Sequence, residues 1–199
     1  MSSSVPDAAD AFVVVSGLPR SGTSLMMQML AAGGLPPLSD GVRAPDAGNP
    51  RGYLEWEPAK ALARDPNAIA AARGHAVKVI SALLPALPRE HRYRVVFMER
   101  DAGEIEASQR ALLAGAEPDG VGADALARHV ARVRAWLAAQ PGFATCPVAF
   151  RHAVERPLET AARVRDFLTL ELDVAKMAAA ADASLYRQRR ERLSSRRRS

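Results

Sequence analysis

Several features are scarce or missing in this chain of 199 residues, and each absence excludes a class of protein. Cys146 is the only cysteine, so no internal disulfide can form and a reducing compartment is expected. No apolar run reaches the roughly 18 residues that a membrane span needs. The first ten residues lack the basic region and apolar run of a secretory signal. We therefore expect a cytoplasmic protein with no membrane partner.

Lysine is also scarce, because nearly all of the 27 basic residues are arginine. The lysines are Lys60, Lys78 and Lys176. An arginine excess of this kind is typical of GC-rich bacterial genomes. With 48% hydrophobic and 25% charged residues, the composition is that of an ordinary globular protein of one domain. We predict a flexible N-terminus over 1–11, an α/β domain over 12–186 and a basic, disordered tail over 187–199.

The basic tail raises the question of a nucleic-acid partner, since dense positive charge attracts phosphate backbones. Its arginines alternate with serine rather than with aromatic residues, and the chain carries no known nucleic-acid reading motif. A solvated terminus is therefore favoured over a nucleic-acid partner. Whether the tail closes over a ligand stays open, and the sequence gives no indication of oligomeric state.

Short β-branched runs alternate with helical patterns along the chain. Strands are predicted at 12–16, 76–80, 93–99 and 146–150. Helices are predicted at 22–34, from Pro58 with an interruption near Pro66, after a capping box at Asp101 and Glu104, and at 123–140, 156–168 and beyond Asp173. This alternation predicts an α/β fold: a single P-loop-like domain with a mainly parallel central sheet flanked by helices.

The stretch "FVVVSGLPRSGTSLMMQML" (12–30) has the order of a phosphate-binding loop: a buried strand, a glycine-bounded turn and a helix. Backbone N–H groups of such a turn and the positive end of the helix together bind anions. The spacing from Gly17 to Gly22 fits G-x-x-x-x-G-K-S/T, but Thr23 stands where the lysine should be. Arg20 is the cation inside the turn, and Thr23 and Ser24 add hydroxyl donors.

The missing lysine argues against an ATP- or GTP-using enzyme, whose loop lysine binds the β- and γ-phosphates. Such enzymes also hold Mg²⁺ with an aspartate near a later strand end. Asp101 is the one candidate here, and it is better explained as a helix cap. No metal is expected, because no cluster has ligand spacing. A P-loop nucleotide kinase or NTPase, or a non-catalytic nucleotide-binding protein, stays the alternative.

The segment "GLPRSGTSLMMQML" resembles the 5′-phosphosulfate loop of sulfotransferases that use 3′-phosphoadenosine 5′-phosphosulfate (PAPS). Its P-R-S-G-T spelling is similar to that of the tyrosylprotein and bacterial branches. The family's second motif, a strand ending in Arg with Ser eight positions later, is matched by Arg100 and Ser108 in "FMERDAGEIEASQ". The resemblance implies transfer of a sulfuryl group to a hydroxyl or amine of a small-molecule or peptide acceptor.

The resemblance also implies cofactor-binding residues. The phosphosulfate would be bound by Arg20, Ser21, Gly22, Thr23 and Ser24. Arg100 and Ser108 would bind the 3′-phosphate of the nucleotide. The structural alternative for this pair is that Arg100 is paired with a nearby glutamate and that Ser108 is an exposed helix residue.

Sulfuryl transfer needs positive charge on the bridging oxygen and a base for the acceptor's proton. We predict Arg20 as the main electrophile and Lys78, near a strand end, as the second. For the base, "NPRGYLEWEP" resembles the G-Y/F-x-E element of bacterial members and indicates Glu55. Glu57 and His152 stay as alternatives, Glu57 also being suited to a first helical turn. The acceptor itself is not identified by any motif.

Overall fold

The centre of this computed structural model is a four-stranded sheet in which every neighbouring pair is parallel. The structure describes residues 11–45, 49, 52–112 and 122–181, without the side chains of 111 and 112. The strands are β1 (Phe12–Gly17), β2 (Ala76–Lys78), β3 (Tyr93–Glu99) and β4 (Phe143–Ala149), in the order β2-β1-β3-β4. The predicted α/β fold with a parallel central sheet is therefore confirmed.

Helices cover both faces of this sheet. They are α1 (Thr23–Ala32), α2 (Ala102–Leu112), α3 (Ala123–Ala138), α4 (Phe150–Glu155), α5 (Pro157–Leu168) and α6 (Val174–Ala179), with short 3₁₀ helices at Glu57–Ala61, Pro66–Ala72 and Ser81–Ala86. Val13 and Val15 pack with α1, α5 and α6 on one face, whereas Phe12 and Val14 pack with α3 on the other. This alternation is the two-residue period of a strand buried on both faces.

Three predicted boundaries are wrong. The last strand is Phe143–Ala149 rather than 146–150, and Phe150 already begins α4. Pro147 lies inside this strand, which is tolerated because β4 is at the edge of the sheet. The second strand ends at Lys78 rather than at 80. The helix predicted from Pro58 is two 3₁₀ helices, the second starting at Pro66.

Other predictions of local structure are confirmed. The first helix ends at Ala32 with Gly33 as its C-cap. The backbone N–H of Glu104 donates to Asp101 Oδ1 at 3.1 Å, so Asp101 caps α2 as the capping box predicts. The tail at 187–199 and all but Ala11 of the predicted N-terminal segment lie outside the described residues.

The strand order predicts a crevice between β1 and β3. From β1 the chain crosses to β2 on one side, and from β2 it returns past β1 to β3 on the other. The connections after β1 and β3 therefore lead to opposite sides, which opens a crevice at the carboxyl ends of these strands. Gly17 to Gly22 follow β1 and Arg100 follows β3, so both sequence motifs lie at this crevice.

We predict that Gly17→Ala destabilises the protein by about 2 kcal/mol or more. Gly17 has φ +147, and a Cβ there would lie 2.6 Å from the Met98 carbonyl oxygen on β3. Gly34→Ala is the matched control, since Gly34 has φ +105 but open space around its Cβ position. The control should cost only backbone strain, about 1 kcal/mol. Urea unfolding of both variants measures the difference, and equal losses would contradict the prediction.

Candidate functional site

The loop between β1 and α1 has a backbone conformation that suits an anion. Arg20 adopts a left-handed conformation with φ +75 and Gly22 has φ +102, so the chain folds back tightly before α1 begins at Thr23. The N-cap residue is Gly22, which has no side chain to accept hydrogen bonds from the N–H groups of the helix. The N–H groups of the first helical turn have no acceptor within the helix. They add to the positive end of the helix dipole, which favours an anion at this point.

Two further features of the loop support an anion ligand. Ser21 is 1% exposed, and its Oγ has no hydrogen-bond partner in the described structure. A buried hydroxyl without a partner is rare and calls for an explanation such as a ligand. Gly22 lies against the ring of Phe150, and a Cβ there would approach Cε2 to 3.0 Å. Only glycine fits the loop at this position.

On the β3 side of the loop, both residues of the second motif contact Arg20. Arg20 Nε donates to Ser108 Oγ at 3.0 Å, and Arg100 Nη1 donates to the Arg20 carbonyl at 3.2 Å. Arg100 Nε also donates to Glu104 Oε2 at 3.0 Å. Arg100 thus has the glutamate partner of the structural alternative, whereas Ser108 is 5% exposed and joined to the loop rather than solvated. We name Arg20, Arg100, Glu104 and Ser108 the β3-side cluster.

On the β2 side, Lys78 brings a positive charge to the first turn of α1. Its Nζ donates to Ser24 Oγ at 3.0 Å and to the Tyr53 carbonyl, and lies 4.0 Å from Glu55 Oε1. Burial lowers the pKa of Lys78 to about 8, against the attraction of Glu55, which acts to raise it. We name Ser24, Tyr53, Glu55 and Lys78 the β2-side cluster. Lys78 therefore places a cation at the first turn of α1 from the neighbouring strand β2.

The carboxylate of Glu55 is held by three cations. Oε1 accepts from Arg43 Nη1 at 3.0 Å and Oε2 lies 3.4 Å from Lys60 Nζ, in addition to the approach of Lys78. The guanidinium of Arg43 also lies over the Tyr53 ring, 3.4 Å from its centroid. Sequence reasoning missed Arg43 and Lys60. The only signal for Arg43 is its place in a long loop, a kind of segment that often carries function.

The two alternative bases occupy different surroundings. Glu57 is more exposed than Glu55, with 41% of its side chain exposed against 17%, and it is paired with Lys60. His152 lies on α4 and contacts α5, through Thr160 Oγ1 at 3.3 Å and Glu159 at 3.5 Å. The structure therefore places Glu55 beside Lys78. His152 instead contacts Thr160 and Glu159 on α5.

Comparisons with known proteins leave the family open. No family model matches the chain, and no curated protein is significantly similar to it. Among solved structures, it is similar to the unliganded crystal structure of a sugar kinase from Janibacter sp. HTCC2649. The identity is 17%, the match covers 87% of this chain and 99% of the other, and the TM-score is 0.45. A likeness of this degree carries no argument about activity or substrate.

In the parts of the chain that the structure describes, no helix is both long and apolar enough to cross a bilayer. Within the same residues, histidine, cysteine, aspartate and glutamate side chains nowhere gather in a group of three or more that could hold a metal ion.

Because Lys78 releases its proton more readily in the folded state, we predict that its contribution to stability rises with pH. Below about pH 8, Lys78 is charged in both states, and the cost of burying its ammonium lowers the free energy of unfolding in full. Between pH 8 and 10.5, Lys78 keeps its proton in the unfolded chain but loses it in the folded chain, so the free energy of unfolding rises with pH. The free energy of unfolding of the wild type relative to Lys78→Met should therefore rise by up to about 3 kcal/mol across this window. Urea unfolding at a series of pH values measures it.

Lys60→Met is the matched control for this experiment. Hydrogen bonding with Glu57 raises the pKa of Lys60, so this lysine should give no gain in stability between pH 8 and 10.5. A flat difference between the wild type and Lys78→Met would show that Lys78 is not buried as a charge.

Proposed function

We propose that the protein is a PAPS-dependent sulfotransferase that acts on a hydroxyl or amine of a small-molecule or peptide acceptor. The hydrogen bond between Arg20 and Ser108 supports this most directly. The two residues belong to two separate motifs of the resemblance, 88 positions apart, and both lie at one anion-binding loop. When bound, PAPS supplies the sulfuryl group that is transferred.

The donors of the site suit a ligand with two anionic groups. The first turn of α1, the unpartnered Ser21 hydroxyl and the hydroxyls of Thr23 and Ser24 would hold the phosphosulfate. Arg100 and Ser108, on the other side of Arg20, would hold the 3′-phosphate. Arg20, Arg100, Lys78 and the N-terminal end of α1 supply positive charge at the described site, and on this proposal PAPS binds without a metal.

The same residues suggest how the transfer is helped. As the acceptor oxygen or nitrogen attacks sulfur, the bond from sulfur to the bridging oxygen breaks, and its electron pair stays on the departing adenosine 3′,5′-bisphosphate (PAP). Lys78 and Arg20 would stabilise the negative charge that develops on that oxygen. Glu55 would take the proton that the acceptor loses. Arg43 and Lys60 hold Glu55 beside Lys78.

One observation favours the second candidate, a P-loop nucleotide kinase. Lys78 Nζ reaches Ser24 Oγ, so a cation lies near the first turn of α1, where a loop lysine would act on ATP. Against this candidate, Asp101 is engaged as the cap of α2 and does not supply an evident Mg²⁺ carboxylate. The two candidates differ in their nucleotide and in their need for Mg²⁺.

Calorimetry with PAP, AMP and ATP, each with and without Mg²⁺, separates the candidates. A second anion site should favour PAP over AMP by roughly 10²-fold, because one charge-assisted and one neutral hydrogen bond together contribute about 2.5–4 kcal/mol. Mg²⁺ should leave PAP affinity unchanged. ATP binding that requires Mg²⁺, without preference for PAP, would instead favour the kinase, and Mg²⁺-dependent ATP turnover would support it further.

Variants at the β3-side cluster test the second anion site. Arg100→Ala and Ser108→Ala should each lose PAP affinity, while AMP affinity barely changes. Arg110→Ala is the control. Arg110 lies on α2 like Ser108, but its side chain is 60% exposed and pairs with Glu106. A wild type that cannot distinguish PAP from AMP would rule out the proposed function.

For the base, we predict that Glu55→Gln lowers the turnover rate by about 10²–10⁴-fold and leaves PAP affinity intact. The amide keeps the shape of the side chain but cannot take a proton. PAP release, measured with whichever member of a panel of alcohols, phenols and amines supports turnover, gives the rate. Glu57→Gln is the matched control and should be nearly silent; a larger loss in that variant would make Glu57 the base.

A further inference from the structure

Gln28 lies one helical turn after Ser24 on α1, so the two side chains share one face of the helix. Gln28 Nε2 donates to Asn49 Oδ1 at 3.3 Å and to the Gly52 carbonyl at 3.2 Å. Gln28 lies within the segment that resembles the phosphosulfate loop, but the resemblance assigns it no role. Its contacts nevertheless lie on the chain segment that leads directly to Glu55.

Two successive carbonyl groups of this segment are held by donors from the sheet and from α1. Gln28 binds the carbonyl of Gly52, and Lys78 binds that of Tyr53 while also binding Ser24 on α1. The segment 52–55 is therefore attached along one face of α1 at two points, one turn apart. These attachments fix the direction in which the chain continues toward Glu55.

The backbone at Leu54 shows that the segment is held in a demanding conformation. Leu54 has φ +49, a left-handed conformation that is uncommon for residues other than glycine and costs energy. It stands between the Tyr53 carbonyl and the Glu55 carboxylate, which both approach Lys78. Such strain persists only where the surrounding contacts over-determine the conformation. Gln28 supplies one of those contacts.

The two hydrogen bonds that Gln28 donates give a reason for an amide side chain at this position. An amide nitrogen has two hydrogens, and the structure gives them two acceptors. Its Oε1 is buried and has no hydrogen-bond partner among the described residues. Burying an acceptor without a partner lowers stability, a cost that an apolar side chain of similar shape would avoid.

We propose that Gln28 is a positioning residue, which holds the segment 52–55 against α1 so that Glu55 and Lys78 keep a fixed place beside the anion-binding loop. The positioning itself does not depend on sulfuryl transfer; only the use made of Glu55 and Lys78 rests on the proposed function. Releasing the segment would expose Lys78 to water. The charged groups that face Lys78 are Glu55, Arg43 and Lys60.

The scarcity of lysine makes Lys78 a direct reporter of this contact. Amine acetylation read by mass spectrometry distinguishes it from the other two lysines of the chain. In the wild type, the pH profile of Lys78 labelling should have its midpoint near its pKa of about 8. In Gln28→Met, which keeps the shape but removes both donors, the midpoint should move up toward 10.5, by about one unit or more, because hydration relieves the cost of burial.

Gln140→Met is the matched control, since it makes the same chemical change at a side chain that contacts Arg89 and Trp136. It should leave the Lys78 profile unchanged. Asn49→Ala is the milder variant, because it removes one of the two acceptors and should move the midpoint in the same direction. Combined with Gln28→Met, Asn49→Ala should add little, since both changes remove the hydrogen bond between Gln28 and Asn49.

The outcomes separate this proposal from the proposed function. In Gln28→Met, PAP affinity should stay within about twofold while turnover falls, because Gln28 holds the segment and not the anion. A shifted Lys78 profile in a protein that never transfers sulfuryl groups would support the positioning role and reject the activity. An unchanged profile in folded Gln28→Met and Asn49→Ala, or an equal shift in Gln140→Met, would overturn the positioning role whatever the activity.

Discussion

The ammonium group of Lys78 is buried, and a buried charge must be matched by polar groups or the fold loses several kilocalories per mole. Its partners come from two parts of the chain: Ser24 lies on α1, and the Tyr53 carbonyl and the Glu55 carboxylate lie in the segment 52–55. Satisfying this one charge therefore brings β2, α1 and the segment 52–55 together. The local arrangement of the candidate site depends on that requirement.

The anion-binding loop lies between two clusters of different character. On the β3 side, Arg20 makes hydrogen bonds with Ser108 and Arg100. These two residues therefore stabilise the conformation of the loop. On the β2 side, Lys78 touches the helix turn and also a carboxylate that can serve as a base. In the proposed function, the first cluster would bind a second anion and the second would act on the transferred group. The parallel sheet makes this division because β2 and β3 flank β1 on opposite sides.

The missing loop lysine has a structural counterpart. The sequence position is occupied by Thr23, yet Lys78 approaches the same helical turn from the end of the neighbouring strand. Arg20, which the sequence presents as the cation of the loop, directs its Nε to Ser108 instead. The sequence-based ranking of Arg20 above Lys78 as the electrophile therefore rests on position in the chain, whereas the geometry gives Lys78 the contact with Ser24.

Local patterns in the sequence were enough to predict the four strands to within a few residues, the loop after β1 and the Asp101 cap, because each depends on neighbours a few positions away. The interruption near Pro66 is also confirmed, but the two pieces are 3₁₀ helices rather than α-helix, a difference that helical periodicity does not reveal. The partners of the site were decided by tertiary structure. Ser108 is 88 positions from its partner Arg20 in the chain, and Lys78 is 54 positions from Ser24. These pairs form only because the strand order places β2 and β3 on either side of β1.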